Sequence, residues 1–221
     1  MNAVASLFSA DNPSLPALGL VQLWLHLGWG TLLAWLGVRV GTRLGLRPRA
    51  TWVLASALMV WAWLPGPYAP VHWLGLAFQG PSVMAVLLCA VDLVWRRTSL
   101  GRFREGPSFW SGAWLAAGVL LGWALLLDTL ALLPVSLYAW GFNAAVPALL
   151  VLLALLPWVL QGGPVRQHST SVLVIAVLAV CVALHLPTGN VWDALLDPWL
   201  WLYLNVRGIR TIIVKQRSIS S

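Results

Sequence analysis

The sequence predicts an all-α protein, a polytopic bundle of about seven transmembrane helices. Of its 221 residues, 60% are hydrophobic and only 9% are charged, whereas a soluble domain carries about 25% charged residues. The chain has too few polar residues to cover the surface of a water-soluble protein. Part of its surface must therefore contact lipid. Because about 20 residues cross the hydrocarbon core, this length allows at most seven or eight spans with short loops.

Seven apolar runs define the predicted spans. Each run ends at a turn or at charged residues, where a transmembrane helix stops. A polar lead-in, residues 1–16, precedes the first span, and a basic cytoplasmic tail, residues 207–221, follows the last, so residues 1–221 form a single integral membrane domain. The lead-in contains no Lys or Arg and is therefore not a signal peptide. The spans cover residues 17–38, 51–64, 81–95, 109–127, 144–160, 171–186 and 191–206.

The positions of the charged residues orient this bundle. Every Lys and Arg follows the first, third, fifth or seventh span, and none follows the second, fourth or sixth. Since cytoplasmic loops carry the excess of cations, we expect the N-terminus outside and the C-terminus in the cytoplasm, in a bacterial inner membrane. The same rule accounts for the net charge of +7, so no nucleic acid is expected as a partner.

The seventh span is short. Its residues 191–206 would rise about 24 Å as a helix, less than the roughly 30 Å of the hydrocarbon core. We expect it to thin the bilayer, to pack inside the bundle, or to continue past Arg207.

The three outer corners between spans share an order of residues that indicates, as one alternative, a threefold repeat of a helical hairpin. In each corner a Leu-Pro pair ends one span, a short piece with a Trp follows, and a second Pro opens the return helix. Proline in the first helical turn and Trp at the membrane interface are favourable in any protein, so the corners also have a purely structural explanation. They contain Leu64, Pro65, Trp73 and Pro81; Leu133, Pro134, Trp140 and Pro147; and Leu186, Pro187, Trp192 and Pro198.

His26 is a candidate cofactor-binding residue near the middle of the first span. Gln22 and Gly30 lie one turn away on either side and share its helix face. An ionisable group at this depth is energetically costly, which favours a functional role. His26 could be a haem or quinone ligand or part of a proton relay. The alternative, which we favour, is a neutral His that bonds to a neighbouring helix brought close by Gly28 and Gly30. The cofactor, if any, stays unknown.

A second set of candidates lies on the predicted outer face. Asp193 and Asp197 are four residues apart and would share one face of a continuous helix, with His185 and His72 as further candidates. Two carboxylates with a nearby His suit acid–base catalysis on a lipid head group, or a divalent metal.

Helix capping explains the same two carboxylates without chemistry. Asp197 directly precedes Pro198, which is the arrangement of an N-cap followed by a first-turn proline. Asn190 and Asp193 have the spacing of a loose capping box. Near the opposite face, Asp92 and Arg96 have the spacing of an i,i+4 pair.

The sequence favours a non-catalytic integral membrane subunit, or an assembly partner of a larger inner-membrane complex. Its loops are short, few polar groups lie at membrane depth, and 16 Trp and 19 Gly suit packing between helices. The expected partners are membrane lipid and either another membrane protein or further copies of this chain.

Two alternatives to the subunit stay open, so whether the protein is an enzyme is undecided. One is a membrane enzyme that acts on a lipid or lipid-linked substrate through Asp193, Asp197, His185 and His72. The other is a small transporter with helices broken at Pro81, Pro147 and Pro198.

Overall fold

The computed structural model describes residues 15–98, 112–161 and 169–219. The regular structure in these residues is helical, and no strand occurs among them, which confirms the all-α class. A short 3₁₀ turn, Gly66–Tyr68, accompanies the α-helices. The α-helices are α1 (Leu18–Arg43), α2 (Pro48–Ala62), α3 (Pro70–Phe78), α4 (Val83–Thr98), α5 (Gly112–Thr129), α6 (Leu137–Trp140), α7 (Ala145–Gln161), α8 (Ser169–Leu184), α9 (Val191–Leu195) and α10 (Pro198–Ile219).

The described chain divides into two compact units. The first contains α1 to α4, the part of α8 from Ala176 onward, and α9. The second contains α5 to α7, the part of α8 up to Ile175, and α10.

Every predicted span coincides at least in part with a helix, but the helices differ in their capacity to cross a membrane. Within the described residues, α1 and α5 are long and apolar enough to do so, judged by length and composition. Two shorter apolar helices are α7 and α8. The number of crossings and the orientation therefore stay predictions.

The last predicted span, residues 191–206, is wrong as a single helix, but the expected alternative of a helix that continues past Arg207 is observed. Helix α9 ends at Leu195, and α10 then runs for 22 residues to Ile219, through most of the predicted tail. The break between α9 and α10 arises because Asp197 precedes a proline, and a residue in that position avoids the helical conformation. Pro198 itself is favourable in the first turn of a helix. No further proline follows Pro198, so the helix continues, and its 22 residues rise about 33 Å.

In the first unit, glycines bring α1 close to α2. A Cβ added to Gly37 would lie 2.7 Å from Cδ1 of Leu58 and 3.5 Å from the Cα atom of Ala55. One turn further along α1, a Cβ on Gly41 would lie 3.1 Å from Cγ2 of Thr51. Small residues allow two helix backbones to approach in this way, and Ala55 is accordingly buried.

In the second unit, α5 and α10 pack through aromatic side chains. The indole of Trp201 lies directly over Gly122 of α5, and its Nε1 donates to the carbonyl oxygen of Val119 at 3.3 Å. Trp123 meets Trp201 edge to face, with ring centroids 5.2 Å apart. Nε1 of Trp123 donates to Oδ1 of Asn205 at 3.3 Å, so this contact between α5 and α10 combines stacking with two hydrogen bonds.

Each of the three corners contains a short Trp-bearing helix, but these helices are not equivalent. Helices α3, α6 and α9 contain 9, 4 and 5 residues. Trp73 and Trp140 are exposed, whereas Trp192 is only 7% exposed and so packs inside the protein instead of lying at an interface. The second prolines differ as well. Pro81 precedes the next helix, Pro147 lies within it, and Pro198 begins it. The threefold repeat stays a prediction.

Candidate functional site

The third corner holds two of the predicted outer-face residues, His185 and Asp193. His185 follows α8 and has a positive φ of 57°. The hydroxyl of Thr188 donates to Oδ2 of Asp193 at 2.5 Å. The backbone N–H of Trp192 donates to Oδ1 of Asn190 at 2.9 Å, and Asn190 is fully buried. Asp193 and Asn190 thus stabilise the turn that starts α9.

Asp197 caps α10 and belongs to a different helix start from Asp193. Its Oδ1 accepts the backbone N–H of Leu200 at 2.7 Å, and Pro198 occupies the first position of the helix. Because α9 ends at Leu195, the continuous helix on which Asp193 and Asp197 would share a face is not formed.

His72, the remaining residue of the predicted outer site, lies on α3 and is exposed. Its ring meets the neighbouring Trp73 ring edge to face, with centroids 5.2 Å apart. Within residues 15–98, 112–161 and 169–219, no three His, Cys, Asp or Glu side chains are grouped so that they could hold a metal ion.

His26 is half-buried and lies against the C-terminal end of α2. Its Nδ1 lies 2.9 Å from the carbonyl oxygen of Gln22 on the same helix, so this contact is not the bond to a neighbouring helix that the sequence favoured. Its ring is 5.3 Å from that of Trp63, the residue that follows α2. His26 was predicted near the middle of the first span. Because α2 has only 15 residues, the part of α1 that contains His26 lies beside the end of α2.

The close approach to a neighbouring helix predicted beside His26 is present at Gly30, whereas Gly28 lies closest to a non-helical segment. A Cβ on Gly30 would lie 2.7 Å from Sδ of Met59 and 3.4 Å from Cβ of Ala62 on α2. A Cβ on Gly28 would lie 2.6 Å from Cγ of Pro81, in the segment between α3 and α4. Gly28 and Gly30 thus make room for two different neighbours.

A charged network joins α1 to α4, and sequence spacing revealed only one part of it. Oδ2 of Asp92 accepts from Nε of Arg96 at 2.9 Å, which is the predicted i,i+4 pair. The same oxygen accepts from Nε1 of Trp35 at 2.8 Å and lies 3.4 Å from Nη2 of Arg39. The guanidinium of Arg39 also lies over the Trp35 ring, 5.2 Å from its centroid. The Asp92 carboxylate of α4 therefore contacts both α1 and the side chains of Arg39 and Arg96.

Two indoles of α1 hold the non-helical segment at residues 79–81. Nε1 of Trp29 donates to the carbonyl oxygen of Gln79 at 2.8 Å, and Nε1 of Trp24 donates to that of Pro81 at 2.9 Å. Gln79 has a positive φ of 58°, so the chain turns sharply there. Irregular backbone is stable where other protein groups satisfy its polar atoms. Periodicity did not reveal these indole contacts, because each depends on a partner about fifty residues away.

No family model, no curated protein and no solved structure matches this chain. Its function must therefore be inferred from its own residues.

Proposed function

We propose that the protein is an integral protein of the bacterial inner membrane with seven crossings and an external N-terminus. We further propose that it is a non-catalytic subunit, or an assembly partner, of a larger membrane complex. The observation that carries the membrane location is the apolar character of its exposed helix faces.

Helix α7 gives the clearest example of such a face. Its exposed positions recur every three or four residues, and all of them are apolar. On the opposite face, Ala154 is fully buried. A monomeric soluble protein rarely exposes so continuous an apolar stripe, whereas lipid tails accept one without cost. The exposed positions are Ala148, Leu149, Leu152, Leu153, Leu156, Val159 and Leu160.

Helix α5 gives independent support. It is one of the two helices with the length and apolarity of a membrane span, yet only 6% of its most apolar window is buried. The core helix of a soluble protein would be mostly buried. An apolar helix with this exposure is best accommodated by lipid.

A non-catalytic role is proposed because the two carboxylates of the predicted outer-face site already have structural partners. Asp197 caps α10, and Asp193 accepts the Thr188 hydroxyl. The carbonyl oxygens of Gln79 and Pro81, which the transporter alternative would use for an ion, accept indole N–H groups. These contacts favour a role in packing and assembly over catalysis or transport.

Extraction of the native membrane with a mild detergent, followed by mass spectrometry of what copurifies, tests this proposal. We expect the protein to resist alkaline carbonate and to elute with a stoichiometric companion. Release by carbonate would overturn the membrane location. A solitary, monomeric protein would overturn the subunit role, and the Asp193→Asn and Asp197→Asn variants would then test the outer-face enzyme.

A further inference from the structure

The C-terminal part of α10, residues 207–219, is a helix on which every described side chain from Ile209 onward is exposed. Ile209, Ile212 and Ile213 are 57%, 60% and 43% exposed. The α5 contact described above ends at Asn205, four residues before the first of these isoleucines. In water, three exposed isoleucines on one helical stretch would be unfavourable.

Among the exposed residues, the isoleucines and the arginines lie on different arcs of the helix, while Val214, 67% exposed, lies among the arginines and Gln216 among the isoleucines. Ile209, Ile212 and Ile213 follow one another at i, i+3 and i+4 and therefore share a face. Arg207, Arg210 and Thr211 lie on the opposite arc of the helix. An isoleucine face beside an arginine face is the pattern of a helix segment that contacts a membrane surface.

The charge of this segment is of one sign. It contains Arg207, Arg210, Lys215 and Arg217, and no acidic residue occurs between Pro198 and Ser221. Arg207 bonds to the hydroxyl of Tyr203 at 3.2 Å, and no described acidic side chain forms an ion pair with Arg207 or Arg210. Four cations are costly in hydrocarbon, which favours a position for this segment in the head-group layer.

We infer that residues 207–219 form an interfacial helix that binds anionic phospholipid head groups on the cytoplasmic leaflet. The isoleucine face enters the boundary of the acyl chains, and the arginines contact the lipid phosphates. Lipid is favoured over a protein partner because one segment combines a face of isoleucines with four cations and no acidic residue, as an anionic bilayer surface requires. The inference rests on the proposed membrane location.

Spin labels at single cysteines test this inference in the full chain. The native cysteines, Cys89 and Cys181, form no disulfide and are replaced by serine. Labels at Ile213→Cys and Thr211→Cys then report the two faces, and a label at Leu152→Cys on α7 serves as the lipid-facing reference. Accessibility to oxygen and to a water-soluble nickel complex is measured in nanodiscs of phosphatidylcholine, alone or in a two-to-one mixture with phosphatidylglycerol.

In the mixed lipid we expect the Ile213 label to be accessible to oxygen and shielded from nickel, and the Thr211 label to show the reverse. Each cation near an anionic surface contributes about fivefold to binding. The Arg207→Gln/Arg210→Gln variant should therefore lower the bound-to-free ratio of the segment by about 25-fold. Phosphatidylcholine alone should likewise expose the Ile213 label to nickel.

Nickel access to Ile213 in both lipids would overturn the inference, since the segment would then project into water. Shielding that needs neither phosphatidylglycerol nor the arginines would also overturn it, and shielding only in the presence of a copurified protein would show a protein partner instead. A Leu152 label without access to lipid would show that the proposed membrane location fails as well. Lipid access at Leu152 with nickel access at Ile213 would confine the failure to the inference.

Discussion

Replacement of Gly122 by alanine should destabilise the contact between α5 and α10. The added Cβ would lie 2.1 Å from Cδ1, 2.4 Å from Nε1 and 2.7 Å from Cγ of Trp201. Carbon atoms in contact are separated by about 3.5–4.0 Å, so the indole must retreat by about 1.4 Å. Because Cγ, at the base of the ring, is among the clashing atoms, rotation of the ring alone cannot relieve the overlap.

Three contributions set the size of the effect. Overpacking of this kind costs about 1–3 kcal/mol. The Trp201 bond to the carbonyl oxygen of Val119 is already 3.3 Å long, and its loss costs about 1 kcal/mol. Alanine gains about 1 kcal/mol over glycine inside a helix. The net loss is therefore about 2 kcal/mol, which lowers the melting temperature of a chain of this size by about 4–8 °C.

Thermal unfolding in a mild detergent, followed by far-UV circular dichroism, measures this effect. Gly208→Ala in α10 is the matched control, because no atom lies within 4 Å of its added Cβ, and it should melt at or above the wild-type temperature. Gly122→Ala should cost little in a Trp201→Ala background, since the clash is then absent. If Gly122→Ala alone melts as high as Gly208→Ala, the close packing of Trp201 on α5 is refuted.

Three further substitutions test other contacts by the same melting measurement. Asp92→Ala removes the acceptor shared by Trp35 and Arg96 and should cost about 1–2 kcal/mol, whereas Asp92→Asn keeps an acceptor oxygen and should cost less; equal losses would show that the indole bond contributes nothing. Trp29→Phe leaves the carbonyl oxygen of Gln79 without its indole donor and should cost about 1–3 kcal/mol, and a wild-type melting curve would argue against that bond. Asp197→Ala removes the cap of α10, at a cost of about 1 kcal/mol, while Asp197→Asn retains it; an asparagine variant as unstable as the alanine variant would contradict the capping role.

The sequence by itself determined the helical class and the approximate positions of the longer helices. Apolar runs bounded by proline and by arginine are local signals, and they placed α2, α5 and α7 within a few residues of their observed limits. Capping is local as well, so the role of Asp197 at the start of α10 could be anticipated from Pro198 beside it. The continuation of α10 past Arg207 was only one of three expected outcomes, because arginines stop a membrane span without stopping a helix.

Only the tertiary structure decided which side chains meet. Asp92 was recognisable as a partner of Arg96 from their spacing, but its bond to Trp35 depends on how α1 packs against α4. Nothing near Gly122 in the sequence indicated that Trp201 lies over it. Backbone geometry fixes contacts between residues three or four apart. Contacts between residues fifty or more apart follow from which helix faces pack together, and in this chain most faces are similarly apolar, so the pattern alone could not choose among them.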